Sequence, residues 1–272
     1  MSYLPLSGKV TLITGSAGGI GFATAQRFAA AGARIILSSR DRRRGIEAET
    51  ALRESGGEAC FIQADMCRED DVCGLVDASI ERFGTIDVLI NNAGPSGEAF
   101  GLSPIHELST DVFDQSMHVG VYGPFWCCKY VLPHMLAQGD GAIVNISAIA
   151  AARALPLMGA YAMVKAALNA LGRQVANDYA AQGIRCNTLV VGTVRPGTGD
   201  VSTLPADFDH TLLDDEIGKT TMLGHVGTYA DVADAALFLA SSSSKYITGA
   251  ELPVEGGALA KMQYPDYSTV LK

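Results

Sequence analysis

The sequence predicts an α/β protein: a doubly wound parallel sheet of about seven strands with helices on both faces, folded as one domain over residues 1–272. Three observations predict it. The candidate strands are continuous apolar runs, the form a strand buried on both faces must take. Helical stretches of about a dozen residues separate them. The chain has 272 residues, 48% of them hydrophobic, enough for one large core without staples.

In order, Val10-Thr11-Leu12-Ile13 reads as a first strand, followed by glycines and an alanine-rich helix over 22–31. Arg34-Ile35-Ile36-Leu37 is a second strand, with a helix over 45–54. Residues 59–63, 88–90, 142–146 and 184–190 are further strands, and 68–83 is a helix. Residues 193–228 break the rhythm: rich in Gly, Pro, Thr and Asp, they carry only a weak helical pattern over 211–217. A long irregular connection in a compact domain is expected to be a lid over a site. Helix returns over 230–240, Glu251-Leu252-Pro253-Val254 is a last strand, and the tail 258–272 shows no period.

The formal net charge is −9, which argues against nucleic acid and against a polybasic membrane surface. No apolar run reaches the roughly 20 residues that span a bilayer. Residues 1–9 lack a charged segment followed by an apolar stretch, so no signal peptide is expected. The six cysteines form no Cys-x-x-Cys and the five histidines show no metal-ligand spacing. Buried free thiols, a cytoplasmic location and no metal are the expectations.

The strongest motif is Thr14-Gly15-Ser16-Ala17-Gly18-Gly19-Ile20-Gly21, between the first strand and the first helix. Glycines let the backbone turn tightly and approach a pyrophosphate, and the helix offers free N–H groups and a positive dipole end to the anion. Asn91-Asn92-Ala93-Gly94 ends the fourth strand, and Tyr161-x-x-x-Lys165 places two side chains on one face of a helix. With this spacing and order, over residues 7–257, the chain resembles the short-chain dehydrogenases/reductases.

That resemblance implies a Rossmann-type fold, a nicotinamide dinucleotide and a small-molecule substrate. It implies cofactor contacts at Gly15, Ser16, Gly19, Ile20, Gly21, Asp65, Met66, Asn92, Ala93, Gly94, Tyr161, Lys165, Gly192 and Val194. Asp65 could equally cap the following helix. An acidic residue at the end of the second strand would hold the ribose of NAD; here stand Ser39 and Arg40, with Arg42, Arg43 and Arg44 beyond. A guanidinium suits a 2′-phosphate, so NADPH/NADP+ is expected over NADH, against the plainer reading of a solvated basic helix start.

Tyr161 would exchange a proton with the substrate oxygen, its phenol assisted by Lys165. The rest of the implied site departs from the family. The family serine, thirteen residues before the tyrosine, is Ala148, which would then line the substrate pocket. Ser147 is one residue early and is expected to face away unless the backbone bulges; a bulge would make it catalytic. Gly120 stands for the family asparagine, whose carbonyl holds a water near the lysine. His118 would point elsewhere on a regular helix. Val191-Gly192 replaces Pro-Gly, and Pro196 replaces a threonine, for which Thr193 and Thr198 are the candidate substitutes.

Three readings stand at this point. One is an NADPH-dependent reductase interconverting a carbonyl and a secondary alcohol. The others are a dinucleotide-binding sensor or partner subunit without turnover, and an imine reductase that needs no oxyanion donor. In the lid, Leu204, Phe208, Leu212, Leu213, Ile217, Met222 and Leu223 mix with Asp207, Asp209, Asp214, Asp215 and Glu216. A helix with Leu212, Leu213 and Ile217 inward and the acids solvated would wall a medium-to-large apolar pocket. The stretches 119–135 and 162–175 are apolar or small on more than one face, which with the resemblance implies a homotetramer, a dimer being second choice.

Overall fold

The computed structural model describes residues 4–195 and 210–262, apart from the side chains of His210 and Leu213. Strand β1 (Val10–Thr14) is followed by α1 (Gly19–Ala30), β2 (Arg34–Ser39), α2 (Arg42–Glu54), β3 (Ala59–Gln63), α3 (Glu69–Phe83) and β4 (Val88–Asn91). Then come α4 (Thr110–Met117), α5 (Gly123–Gln138), β5 (Gly141–Ala148), α6 (Gly159–Tyr179) and β6 (Ile184–Val191). Short β7 (Val194–Arg195), α7 (His210–Thr220), short β8 (Gly227–Thr228), α8 (Tyr229–Ala240) and β9 (Glu251–Val254) complete the described chain.

Seven strands form one sheet in the order β3-β2-β1-β4-β5-β6-β9, every pair parallel. The continuous apolar runs have a plain cause, since alternate residues feed two cores. Ile13, Ile35, Leu37, Val144 and Leu189 pack under α1, α2 and α8 with Phe28, Leu52 and Val232. Leu12, Ile36, Leu89 and Ile143 pack under α3, α5 and α6 with Leu75, Val131 and Val175. The chain reverses direction between β1 and β4, so the helices leave to opposite faces and a crevice opens above the C-terminal strand ends. Gly15, Ser39, Asp65, Asn92, Ala148 and Gly192 all lie at or just past such ends.

The structure corrects several boundaries. β5 runs two residues past its expected end and carries Ser147 and Ala148 within the sheet, paired to Val190 and Val191. α2 begins at Arg42, because Asp41 caps it by accepting a hydrogen bond from the Arg44 N–H at 3.0 Å. The expected long regular helix is interrupted by a π-helical turn over His118–Tyr122. Pro124 has no N–H for the carbonyl four residues back, that of Gly120, and its ring crowds that carbonyl, so the ladder widens there. His118 therefore does not sit on a regular helix; its ring accepts or donates at Asp114 O, 2.8 Å away, and stacks on Tyr122.

The lid differs too. Leu212 is 60% exposed rather than inward, and Ile217 is half-buried. The acids are not all solvated, since Asp214 forms a half-buried ion pair with Arg195 at 2.9 Å. β7 and β8 pair in parallel and clip the two ends of the lid together. Leu204, Asp207, Phe208, Asp209, Pro196 and Thr198 lie outside the described residues, as does the tail beyond 262.

Gly120 has no room to be anything else: a Cβ there would lie 2.2 Å from Cγ1 of the fully buried Val164. Gly120→Ala should therefore destabilise the protein by about 1–3 kcal/mol, the usual cost of overpacking. Val164→Ala in the same chain should recover most of that loss, read as denaturant midpoints for the two singles and the double.

Candidate active site

The glycine turn works by exclusion of side chains. Gly15 has φ 64°, and a Cβ on it would fall 2.9 Å from Cα of Ala93. A Cβ on Gly21 would fall 2.5 Å from the Gly15 carbonyl and 2.6 Å from Nδ2 of Asn92. Asn92 explains the closeness: its amide donates to the carbonyls of Thr14 and Gly15 at 2.9 and 3.0 Å. The Thr14 hydroxyl accepts from the backbone N–H groups of Asn92 and Ala93 at 3.1 and 3.0 Å. Thr14 thus fixes the ends of β1 and β4 against each other, a role the sequence motif contained but did not single out.

Above this turn lies a cleft of about 410 Å³, lined by Gly15, Gly19, Ile20, Ser39, Arg40, Asp65, Met66, Asn92, Ala93 and Gly94. These are expected cofactor residues, and the tertiary structure brings them together. Ser16 is a correction. It is fully buried, its hydroxyl donates to Ile13 O at 2.9 Å and accepts from Ser38 N, and its own N–H donates to Ser38 O. Ser16 ties β1 to β2 beneath the turn and does not line the cleft. Asp65 is not a helix cap, since α3 starts at Glu69 and its cap position is Arg68, whose side chain makes no cap bond; the Asp65 carboxylate accepts from Cys67 N at 3.0 Å on the cleft wall.

The basic cluster separates on folding. Arg43 turns to Glu47 at 2.7 Å. Arg44 reaches across the glycine turn, its Nη2 2.7 Å from where a Gly18 Cβ would be, and lines the cleft with Arg40. Asp41 spends its carboxylate on the start of α2. Two guanidiniums therefore flank Ser39.

A second chamber of about 470 Å³ shares Ile20, Asn92 and Gly94 with the first and holds Tyr161, Lys165, Ser147, Ala148, Gly192, Thr193 and Val194. Lys165 is buried and donates from Nζ to Ile146 O at 2.7 Å. Burial alone pushes its pKa down to about 8. Burial likewise pushes the Tyr161 phenol up to about 12. The Lys165 ammonium lies 5.5 Å from the centre of the Tyr161 ring. The Ser147 hydroxyl donates to Lys165 O at 3.3 Å, although the residue lines the chamber beside Ala148. The Ala148 methyl lines the chamber where a hydroxyl was absent from the sequence.

Two chamber residues had no signal in the sequence. Phe100 stacks on Tyr161 with ring centres 4.4 Å apart, although it lies in an aperiodic loop after the Asn-Asn-Ala-Gly motif. Tyr229 opens α8 and lines both chambers, brought there by the lid's return. Among the described residues no group of three or more His, Cys, Asp or Glu could hold a metal. The glycine turn, closed to a Cβ at Gly15 and Gly21, and the two arginines lining the cleft fit a dinucleotide.

The buried lysine has a consequence for stability. Between pH 8 and 10.5 the unfolded chain holds the Lys165 proton while the folded, ligand-free protein has released it. Stability owed to this group therefore rises with pH across that window, and the burial penalty is full below pH 8. Lys165→Met should raise the thermal midpoint of the ligand-free protein at pH 7, and the gain should vanish by pH 10.5 in a pH series of melting curves.

Comparisons with known proteins agree with this geometry. A family model described as enoyl-(acyl carrier protein) reductase matches residues 15–258. The chain is 38% identical to 2-(R)-hydroxypropyl-CoM dehydrogenase of Xanthobacter autotrophicus, over 93% of this chain and 99% of that protein. It is 36% identical to cis-4-hydroxycyclohexanecarboxylate dehydrogenase of Sinomonas cyclohexanicum, over 93% and 97%. The crystal structure of an NAD+-bound xylitol dehydrogenase superposes with a TM-score of 0.84 at 32% identity, covering 93% of this chain and 99% of that one. The relatives are dehydrogenases acting on secondary alcohols, and this chain is an oxidoreductase that belongs to the short-chain dehydrogenase/reductase family.

Proposed function

We propose that the protein is an NADPH-dependent reductase that interconverts a carbonyl and a secondary alcohol on a medium-to-large, mainly apolar substrate. The observation that carries this reading is the buried Tyr161–Lys165 pair, standing in a chamber open to the dinucleotide cleft. A bound NADPH would supply the hydride. Gly15, Gly19, Ile20 and Gly21 would hold its pyrophosphate at the start of α1, and Asp65 and Met66 its adenine end. Ser39 with Arg40 and Arg44 would hold its 2′-phosphate. Asn92, Ala93, Gly94, Gly192 and Val194 would line its nicotinamide side.

Tyr161 gives its phenolic proton to the substrate oxygen during reduction and takes it back during oxidation. Its high pKa keeps the proton in place until an alkoxide, a far stronger base, forms beside it. Lys165, held by Ile146 O, supplies positive charge near the phenol and stabilises the phenolate that remains. The Gly120 carbonyl would take the place of the acceptor that the family's asparagine otherwise offers. With Ala148 in place of serine, Tyr161 polarises the carbonyl without a second hydroxyl. That same methyl favours one rival reading, an imine substrate that needs no oxyanion donor.

The relative from Sinomonas is named for cis-4-hydroxycyclohexanecarboxylate, a ring alcohol that also carries a carboxylate, which supports a cyclic substrate here. The free cysteines, four of them buried, fit the reducing cytoplasm. Assembly as a homotetramer, with a dimer as second choice, is supported by the groove between α5 and α6. There Tyr122 and Phe125, each 47% exposed, meet Leu168 and Leu171. Light scattering showing a monomer at micromolar concentration overturns that assembly.

NADPH should bind more tightly than NADH by calorimetry. Arg40→Ala and Arg44→Ala should each weaken NADPH by about tenfold and leave NADH nearly unchanged, as expected for a lost charge-assisted hydrogen bond. NADH binding as tight as NADPH refutes the preference.

Turnover should be tested on a panel of ketones, quinones and cyclic imines by loss of NADPH absorbance. Tyr161→Phe should abolish carbonyl reduction, and Ala148→Ser should raise it about tenfold or more by restoring an oxyanion donor. Ser147→Ala should change it little. A protein whose Tyr161→Phe variant keeps activity within a few-fold does not use the phenol as its acid. Loss at Tyr161 with indifference at Ala148 assigns an imine or pre-polarised carbonyl instead, and no turnover on any member assigns the sensor.

A further inference from the structure

The chamber wall beside the reacting oxygen is an aromatic ring fixed from both sides. Phe100 lies 4.4 Å from Tyr161 with the two ring planes 27° apart. Just before it, the Ala99 carbonyl accepts from the buried Ser116 hydroxyl on α4. Just after it, Gly101 turns at φ 64°. Ser103 then donates to Leu157 O at 3.1 Å and pairs with Met158 as a parallel bridge. Leu157 adopts φ 63°, a left-handed conformation that branched side chains rarely take. That strain lies two residues before the helix carrying Tyr161, and it is the cost of joining the Phe100 segment to α6. Phe100 is therefore a rigid wall with Tyr161 as its neighbour.

The chemistry of the remaining walls narrows what can lie there. Pro95, Ala148, Val191 and Val194 are apolar, and Lys165 is the one charged side chain among the described lining residues. Its ammonium already faces Ile146 O and the dinucleotide side. Among the described lining residues a carboxylate or phosphate on the substrate finds no cation but Lys165, and although Ser96, Ser147, Thr193 and Tyr229 carry hydroxyls, the Phe100 face itself offers a polyol no partner. A saturated ring instead offers a continuous C–H face to the phenyl ring and loses no chain rotamers on binding.

We propose that Phe100 is a specificity-determining residue that forms the flat wall on which an uncharged ring alcohol or cyclic ketone lies with its oxygen at the Tyr161 phenol. The inference rests on the reductase reading for the chemistry at Tyr161, but its test does not need turnover.

An enzyme loaded with NADPH cannot oxidise an alcohol, so the ternary complex with an alcohol reports binding alone. Dissociation constants of cyclohexanol and 2-hexanol, equal in carbon number, would be measured by ligand-observed NMR on the NADPH-loaded wild type, Phe100→Leu and Phe100→Tyr. Phe100→Leu should weaken cyclohexanol by about five- to tenfold, in line with the loss of an aromatic contact, and 2-hexanol by less than about twofold. Phe100→Tyr should keep the wild-type ratio. Equal weakening of both alcohols, or of neither, overturns the inference and leaves Phe100 a structural residue. Ring selectivity that depends on Phe100 in a protein that turns over nothing leaves the inference standing and removes the reductase reading.

Discussion

The structure hangs on the join between the ends of β1 and β4. There the chain reverses the winding of the sheet, and the two strand ends must be held in register although no turn connects them. The Thr14 hydroxyl and the Asn92 amide do this with four hydrogen bonds to backbone groups. Their closeness leaves no space for side chains at Gly15 or Gly21. The cleft therefore follows from a steric constraint: backbone faces a ligand because nothing else fits. Ser16 extends the same tie to β2, which is why a residue of the motif faces inward.

From this join the site is built outward by burial. Lys165 and Tyr161 are the groups whose proton affinities burial shifts in opposite directions, down to about 8 and up to about 12. Both shifts favour neutral forms in the ligand-free protein. Ligand binding would reverse that preference by supplying charge and acceptors, which couples proton handling to occupancy of the cleft. Phe100 contributes to the same burial by covering the phenol ring.

The departures in the helix before β5 form one coherent change. Gly120, Pro124 and Val164 fit together: the proline removes an N–H from the helical ladder, the glycine permits the π turn, and the valine fills the space a longer side chain would need. The change preserves the backbone acceptor and loses only the side chain.

By itself the sequence determined the sheet class, the strand order up to β6, the glycine turn and the Tyr161–Lys165 pair. These follow from local constraints: two-sided burial demands continuous apolar runs, a tight turn demands glycine, and four residues span one helical turn. Ser147 was expected to face away from the chamber; its hydroxyl donates to the α6 backbone at Lys165, yet the residue lines the chamber wall beside Ala148. What tertiary structure decided were contacts between distant segments. Which arginine crosses the glycine turn depends on how α2 is capped, so Arg44 joins Arg40 while Arg43 leaves. The inward face of α7 depends on the β7–β8 clip and the Arg195–Asp214 pair, so Leu212 lies outward against its helical pattern. Phe100 meets Tyr161 only because a strained bridge ties its loop to α6, and no periodicity in a loop can report a partner sixty-one residues away.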